Sequence, residues 1–265
     1  MQNSPLRYFK WEVRMKKLFN SFQLKCITIA MMIGGIYLQQ ILYKLNEEVL
    51  AAGGTMPKMQ SLLYHMGYVV YLAAFPVAAF LLVEAAKKTS DRKALLKRLL
   101  VMGLLVEIPM DMATFGLAEW KNWGLNQNYF FTLSIGLGVI MAVEALAKKY
   151  AAGSMGNNLL TLLVYLLAAL IAVLGRTEQG SVGVLTVICL FLFYGNKMFS
   201  LVSVAALYIL FMGSANGLEY LPALGILLVW MYNGEQGKAD KMTRLVFYAA
   251  FPVAYCVLGV IARFL

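Results

Sequence analysis

The chain has 265 residues, 61% hydrophobic and only 14% charged, with a formal net charge of +10 and a mean hydropathy of +0.71. Soluble domains of this size are closer to half apolar and a quarter charged. The excess cannot fit one soluble core and belongs against lipid. A lipid environment leaves helices or a closed barrel, because every backbone polar group needs an internal partner there. The apolar runs are continuous, without strict alternation, so they read as helices. The positive charge lies in short segments between apolar runs, which fits the positive-inside rule and argues against nucleic acid as a partner.

Residues 1–19 form a basic amphipathic arm carrying Arg7, Lys10, Arg14, Lys16 and Lys17 with Tyr8, Phe9 and Trp11 among them. Such an arm suits an interfacial helix on an anionic leaflet or a disordered basic flank. Its polarity and the length of the next run argue against a signal peptide. Residues 20–265 read as a single transmembrane domain. Its nine apolar runs lie near 22–43, 61–86, 95–115, 128–147, 157–175, 181–195, 198–214, 219–232 and 244–264. Pro76, Pro109, Pro222 and Pro252 lie within runs and predict kinks. With nine spans and a cytoplasmic N-terminus, only Lys44, Lys58, Lys121, Arg176 and Arg263 of the 23 basic residues fall outside the cytoplasmic flanks. The expected fold is therefore an all-α, multi-pass bundle in the cell membrane, with lipids as partners.

Ionisable groups within membrane runs are functional candidates by default. Glu107 and Asp111 are four residues apart and share one helical face. They read as an acid–base pair, a cation site or an interhelical clamp. Asn128 and Thr132 share a face at the start of the fourth run. Glu84, near the end of the second run, reads as a cavity residue or as a partner of Lys87 or Lys88. His65, the single histidine, has a suitable intrinsic pKa for proton transfer but sits alone. Cys26, Cys189 and Cys256 read as small buried hydrophobes. No metal-ligand spacing and no phosphate-loop motif occurs. Gly136 and Gly138 read as helix-contact glycines.

Six segments recur in a familiar order: FPVAAFLLVE at 75–84, TSDRKALLKRLLVMGLLVEIPMD at 89–111, NQNYFFTLSIG at 126–136, GSVGVL at 180–185, MYNGEQG at 231–237 and FYAAFPVAY at 247–255. Together, over about 22–260, they resemble the TraX family of membrane proteins, which is similar to the transmembrane acyltransferases. The resemblance implies acetyl transfer from cytoplasmic acetyl-CoA to an amine or hydroxyl acceptor, with acetyl-CoA as the cofactor if the chain is active. The family's polar signature departs here in four places. Its Asp-His in the first helix falls on Gly34 and Gly35, its Gly-Arg on Tyr71 and Leu72, its Asp-Tyr-Gly on Glu178, Gln179 and Gly180, and its Pro-Val-His on Pro252, Val253 and Ala254.

Three readings follow. The first is a degenerate scaffold that binds a lipid, a peptide or a membrane partner in the inherited cavity, lined by Gly34, Gly35, Leu72, Glu84, Asn128, Thr132, Glu178 and Ala254. The second is an active acetyltransferase with Glu107, Asp111 or His65 as base and with Arg92, Lys93, Lys97 and Arg98 attracting CoA phosphates. The third is a small transporter or transporter subunit built on the acidic pair.

Overall fold

The computed structural model describes residues 17–116, 122, 124–151, 153–212, 221–237, 240–261 and 264. The basic residues Arg7 to Lys16 of the arm lie outside the described residues, as do Lys121, Lys238 and Arg263.

The apolar runs all fold as helices. These are α1 (Ser21–Leu45), α3 (Lys58–Lys88), α4 (Arg92–Phe115), α5 (Tyr129–Lys149), α6 (Met155–Leu174), α7 (Gly180–Leu192), α8 (Lys197–Met212), α9 (Gly225–Trp230), preceded by a 3-10 turn at Leu221–Leu224, and α10 (Lys241–Ile261). A five-residue helix, α2 (Glu47–Ala51), follows α1. Helix starts are set by capping side chains. Asn20 accepts from Gln23 N at 2.9 Å while Gln23 accepts from Asn20 N at 3.0 Å, a reciprocal capping box. Asp91 and Ser154 accept from the backbone in the same way at the starts of α4 and α6. The helices run unbroken through Pro76, Pro109 and Pro252, and Pro222 lies in the 3-10 turn.

Four helices are long and apolar enough to cross a membrane: α1, α3, α5 and α6. At 1.5 Å per residue, the 13 residues of α7 reach only about 20 Å. That length suits a helix enclosed by others, and its Val182, Val184, Val187 and Leu190 are buried. Helix α3 is the hub. Ala73 to Val77 are all buried, so this stretch is covered on every side. Helix α6 is the opposite case: Leu159, Leu163, Leu166 and Leu170 are exposed, forming an apolar face suited to lipid. Cys26 and Cys256, expected to be buried, are exposed on this kind of outer surface. Cys189 is half-buried, and all three are free thiols.

Small residues bring the helices together, since lipid gives apolar side chains little reason to prefer one another. A Cβ on Gly35 of α1 would lie 2.7 Å from Gly67 O of α3, and one on Gly67 would lie 3.0 Å from Gly35 O. Gly136 of α5 meets Val187 of α7 as a contact glycine should. Gly138 has open space instead, because the two positions are two residues apart and point to different sides of the helix.

The connections sort into two ends. At one, called the near end, Leu18 N and Phe19 N donate to Met231 O and Ser21 N donates to Glu235 O. Lys88 reaches Gly234 O at 3.1 Å, Lys197 reaches Trp230 O at 2.9 Å, and Arg92 pairs with Glu144. At the far end, Gln127 N donates to Arg176 O and Glu178 N donates to Gln127 O. From α3 to α7 the helices alternate between these ends, with Arg92 meeting Glu144 at one and Gln127 meeting Arg176 at the other.

Gly225 of α9 faces the Ala73 carbonyl so closely that a methyl group must displace backbone. Gly225→Ala is expected to destabilise by about 1–3 kcal/mol through overpacking. Gly138→Ala should be neutral or stabilising by up to about 1 kcal/mol through helix propensity. Thermal unfolding of the two variants in detergent compares them directly.

Candidate functional site

The candidate residues fall at both ends of the bundle and around a crevice between α1, α3 and α10. At the far end, α4 presents Glu107 and Asp111 one turn apart. Glu107 Oε2 accepts from Asn128 N at 3.1 Å and from Asn128 Nδ2 at 2.6 Å. Asn128 Nδ2 also donates to Gly103 O at 2.8 Å, and its Oδ1 accepts from Phe130 N at 3.1 Å. Every polar group of that amide side chain is therefore engaged. Glu178, from the turn before α7, accepts from Tyr129 N at 3.1 Å. Two carboxylates from different elements thus meet successive amides at the start of α5, where unpaired N–H groups and the helix dipole favour negative charge. Asp111 Oδ2 accepts from Gly124 N at 2.8 Å.

Glu107 and Asp111 do share one face, and Asn128 joins the first of them. The cluster retains unused capacity. Glu107 Oε1, Asp111 Oδ1 and Thr132 Oγ1 are buried without a hydrogen-bond partner among the described residues. No Lys, Arg or His side chain hydrogen-bonds to these carboxylates among the described residues, and Arg176 is exposed. His65 is held elsewhere: its Nδ1 lies 2.6 Å from Ser61 O, so that nitrogen carries the proton, and its ring meets Tyr64 edge-on. Among the described residues, no group of three or more His, Cys, Asp or Glu is arranged to hold a metal ion.

The four positions that depart from the resemblance do not line one common cavity. Gly35 is pressed against Gly67 O and Tyr71, whereas Gly34 faces open space. Leu72 is buried in the core. The Ala254 carbonyl accepts from the Tyr37 hydroxyl. Between α1, α3 and α10 there is an apolar crevice lined by Met32, Tyr37, Tyr71, Phe251, Ala254 and Tyr255, with no room for a water molecule. Glu178 lies at the α5 start, within electrostatic reach of the crevice residue Tyr255.

The near end holds an open cavity. Buried Glu84 accepts from Lys88 at 2.6 Å, from the Tyr232 hydroxyl at 2.8 Å and from the Tyr194 hydroxyl. Burial, then the Glu84 carboxylate, pushes the Tyr194 phenol up to about 12, so it remains a donor. Tyr232 is raised for the same two reasons. Lys197 Nζ donates to Trp230 O at 2.9 Å and to Tyr232 O at 3.2 Å. These groups border a cavity of about 360 Å³ that Lys17 also lines. Of the four basic residues read as phosphate candidates, none lines it. Arg92 pairs with Glu144 and donates to Ala86 O at 2.7 Å, while Lys93, Lys97 and Arg98 are exposed. Sequence reading missed Tyr194, Lys197, Trp230 and Tyr232 as site residues. The available signal was the MYNGEQG segment, which contains Tyr232.

Burial pushes the Glu178 carboxyl up to about 7 from an ordinary 4.5, against the pull of the Tyr129 amide. The folded state therefore holds this proton more tightly than the unfolded chain. Its contribution to stability is full below about pH 4.5 and is lost as pH rises through about 7. Glu178→Gln should flatten that part of the pH profile of thermal unfolding in detergent. An unchanged slope in the variant would show that another group is responsible.

Comparison with curated proteins and with solved structures gives no match. The family model described as TraX protein matches residues 21–262. That span takes in every described helix, both ends of the bundle and the crevice between α1, α3 and α10, so the chain belongs to the TraX family.

Proposed function

We propose that this protein is a multi-pass cell-membrane scaffold of the TraX family that has lost acetyl-transfer chemistry and binds a membrane ligand or partner. The observation that carries this reading is the filled crevice between α1, α3 and α10. Acetyl transfer to an amine or hydroxyl requires a base to take the proton as the carbonyl is attacked. It also requires donors aimed at the developing oxyanion. The crevice offers methyl groups, aromatic rings and phenols. The Tyr37 phenol is committed to the Ala254 carbonyl, and a space too small for water is too small for an acetyl group.

A second reading keeps the enzyme, with Glu107 or Asp111 as base at the far end. The unbonded Glu107 Oε1, Asp111 Oδ1 and Thr132 Oγ1 favour it. Against it stands the lack of a cationic partner in hydrogen-bond contact among the described residues. Purified protein incubated with labelled acetyl-CoA decides between the two. The scaffold reading expects CoA release no faster than a protein-free blank. Release above the blank that falls by about 100-fold or more in Glu107→Gln or Asp111→Asn would overturn it.

The same proposal includes nine crossings with the N-terminus in the cytoplasm. It is supported by the alternation of helix ends from α3 to α7 and by the gathering of Lys17, Lys88, Arg92, Lys149 and Lys197 toward the near end. In a cysteine-free background, an impermeant maleimide should label Glu48→Cys in intact cells and Ser90→Cys only after lysis. The reverse pattern inverts the orientation, and labelling of both in intact cells breaks the alternation.

A further inference from the structure

The near-end cavity joins a basic rim to an apolar interior. Its volume is about 360 Å³, the space of roughly a dozen water molecules at ~30 Å³ each. That holds a small headgroup but not a pair of acyl chains. Phe80 and Leu190 line the interior, and Lys17, Lys88 and Lys197 stand around it with Trp230.

The charges within the cavity do not cancel. Lys88 lies 2.6 Å from Glu84 and also reaches Gly234 O at 3.1 Å, so this pair is neutral and already bonded. Tyr194 and Tyr232 give their hydroxyls to the same carboxylate, which fixes two walls and leaves that carboxylate with little capacity for another cation. Lys197 differs. Two of its three protons go to carbonyls, which orient the ammonium without neutralising it. Among the described residues, no carboxylate lies within ion-pair distance of Lys197 or Lys17. With Glu84 paired to Lys88, the charges of Lys17 and Lys197 border the cavity without a carboxylate partner among the described residues.

The surroundings indicate where that anion comes from. Leu192, Met198 and Phe199, on either side of the α7–α8 turn, are exposed apolar residues. They stand next to Tyr194 and Lys197 in the chain, so the cavity borders a surface suited to lipid. Lysine, tyrosine and tryptophan grouped beside an apolar surface are typical of the headgroup level of a bilayer.

We propose that this cavity receives the phosphate headgroup of an anionic membrane lipid. The phosphate lies between Lys197 and Lys17, and the chains remain in the bilayer against the α7–α8 surface. The inference rests on the binding reading above and names its ligand. Lys197 supplies a charge-assisted hydrogen bond with its remaining proton, and Lys17 supplies near-surface attraction.

The test uses the full chain in phosphatidylcholine nanodiscs. It is titrated separately with dioctanoyl phosphatidic acid, dioctanoyl phosphatidylcholine, inorganic phosphate and CoA, and bound adducts are counted by native mass spectrometry. Phosphatidic acid should bind at least about tenfold more tightly than phosphatidylcholine. Lys17→Gln, at an exposed position, should weaken it about fivefold. Lys197→Met should weaken it more, while Lys197→Arg, which retains the charge and donors, should hold affinity within about threefold and control for the fold. Equal binding of the two lipids, or indifference to both Lys17→Gln and Lys197→Met, overturns the proposal. CoA or inorganic phosphate bound in place of lipid also overturns it and assigns the site to a soluble phosphate. CoA bound and then cleaved sinks the scaffold reading too, whereas failure of every phosphate probe sinks this inference alone and leaves the filled crevice standing.

Discussion

A carboxylate taken out of water must find donors or give up its charge, and the two ends of this bundle meet that constraint differently. At the near end Glu84 gathers an ammonium and two phenols from three separate segments, fastening α3 to the turns after α7 and α9. At the far end Glu107, Asp111 and Glu178 receive amides from the loop before α5 and from the first turn of that helix. The first arrangement is saturated. The second leaves oxygen atoms unbonded at Glu107 and Asp111. The two ends are therefore stabilised in chemically distinct ways around the same buried central helix.

That contrast bears on which groups can do chemistry. A saturated carboxylate such as Glu84 is a structural anchor, and its value lies in what it fixes: the tyrosines and the turn that frame the near-end cavity. The far-end carboxylates act first as caps of α5. The enzyme reading asks them to serve as a base as well, without a cation at hydrogen-bond distance among the described residues. On the scaffold reading their work is finished once α5 is started and α4 is tied to it.

Much of the fold was legible because lipid imposes a simple rule. Apolar runs became helices, and the four-residue spacing of Glu107 and Asp111 did put them on one face. What was not legible depended on rotation or on long-range return of the chain. Gly34 and Gly35 are equivalent in composition, yet only Gly35 points at α3. Gly136 and Gly138 differ in the same way. Cys26 and Cys256 were read as buried because apolar runs were equated with interior, whereas in a lipid environment the outer surface is apolar too. The near-end site was hidden most completely. Tyr194 and Tyr232 lie 110 and 148 residues from Glu84, the carboxylate they share. Nothing in local periodicity brings those segments together. The basic cluster that attracted attention, Arg92 to Arg98, turned instead toward Glu144 and the exterior.

On the scaffold reading, the crevice between α1, α3 and α10 needs no polar residues for the chain to keep its shape. Helix α1 meets α3 through close backbone approach at Gly35 and Gly67, which have no Cβ to clash. The contacts that hold the near end together lie in loops and caps, away from the crevice. On the scaffold reading, apolar packing by Tyr71, Phe251 and Ala254 between α1, α3 and α10 leaves the hydrogen bonds of both ends intact. Buried polar groups must all be satisfied, and apolar packing has no such requirement. On that reading, stability and any inherited chemistry rest on different residues. The scaffold can persist after the chemistry has gone, and any ligand it still binds must be sought where space and unbalanced charge remain.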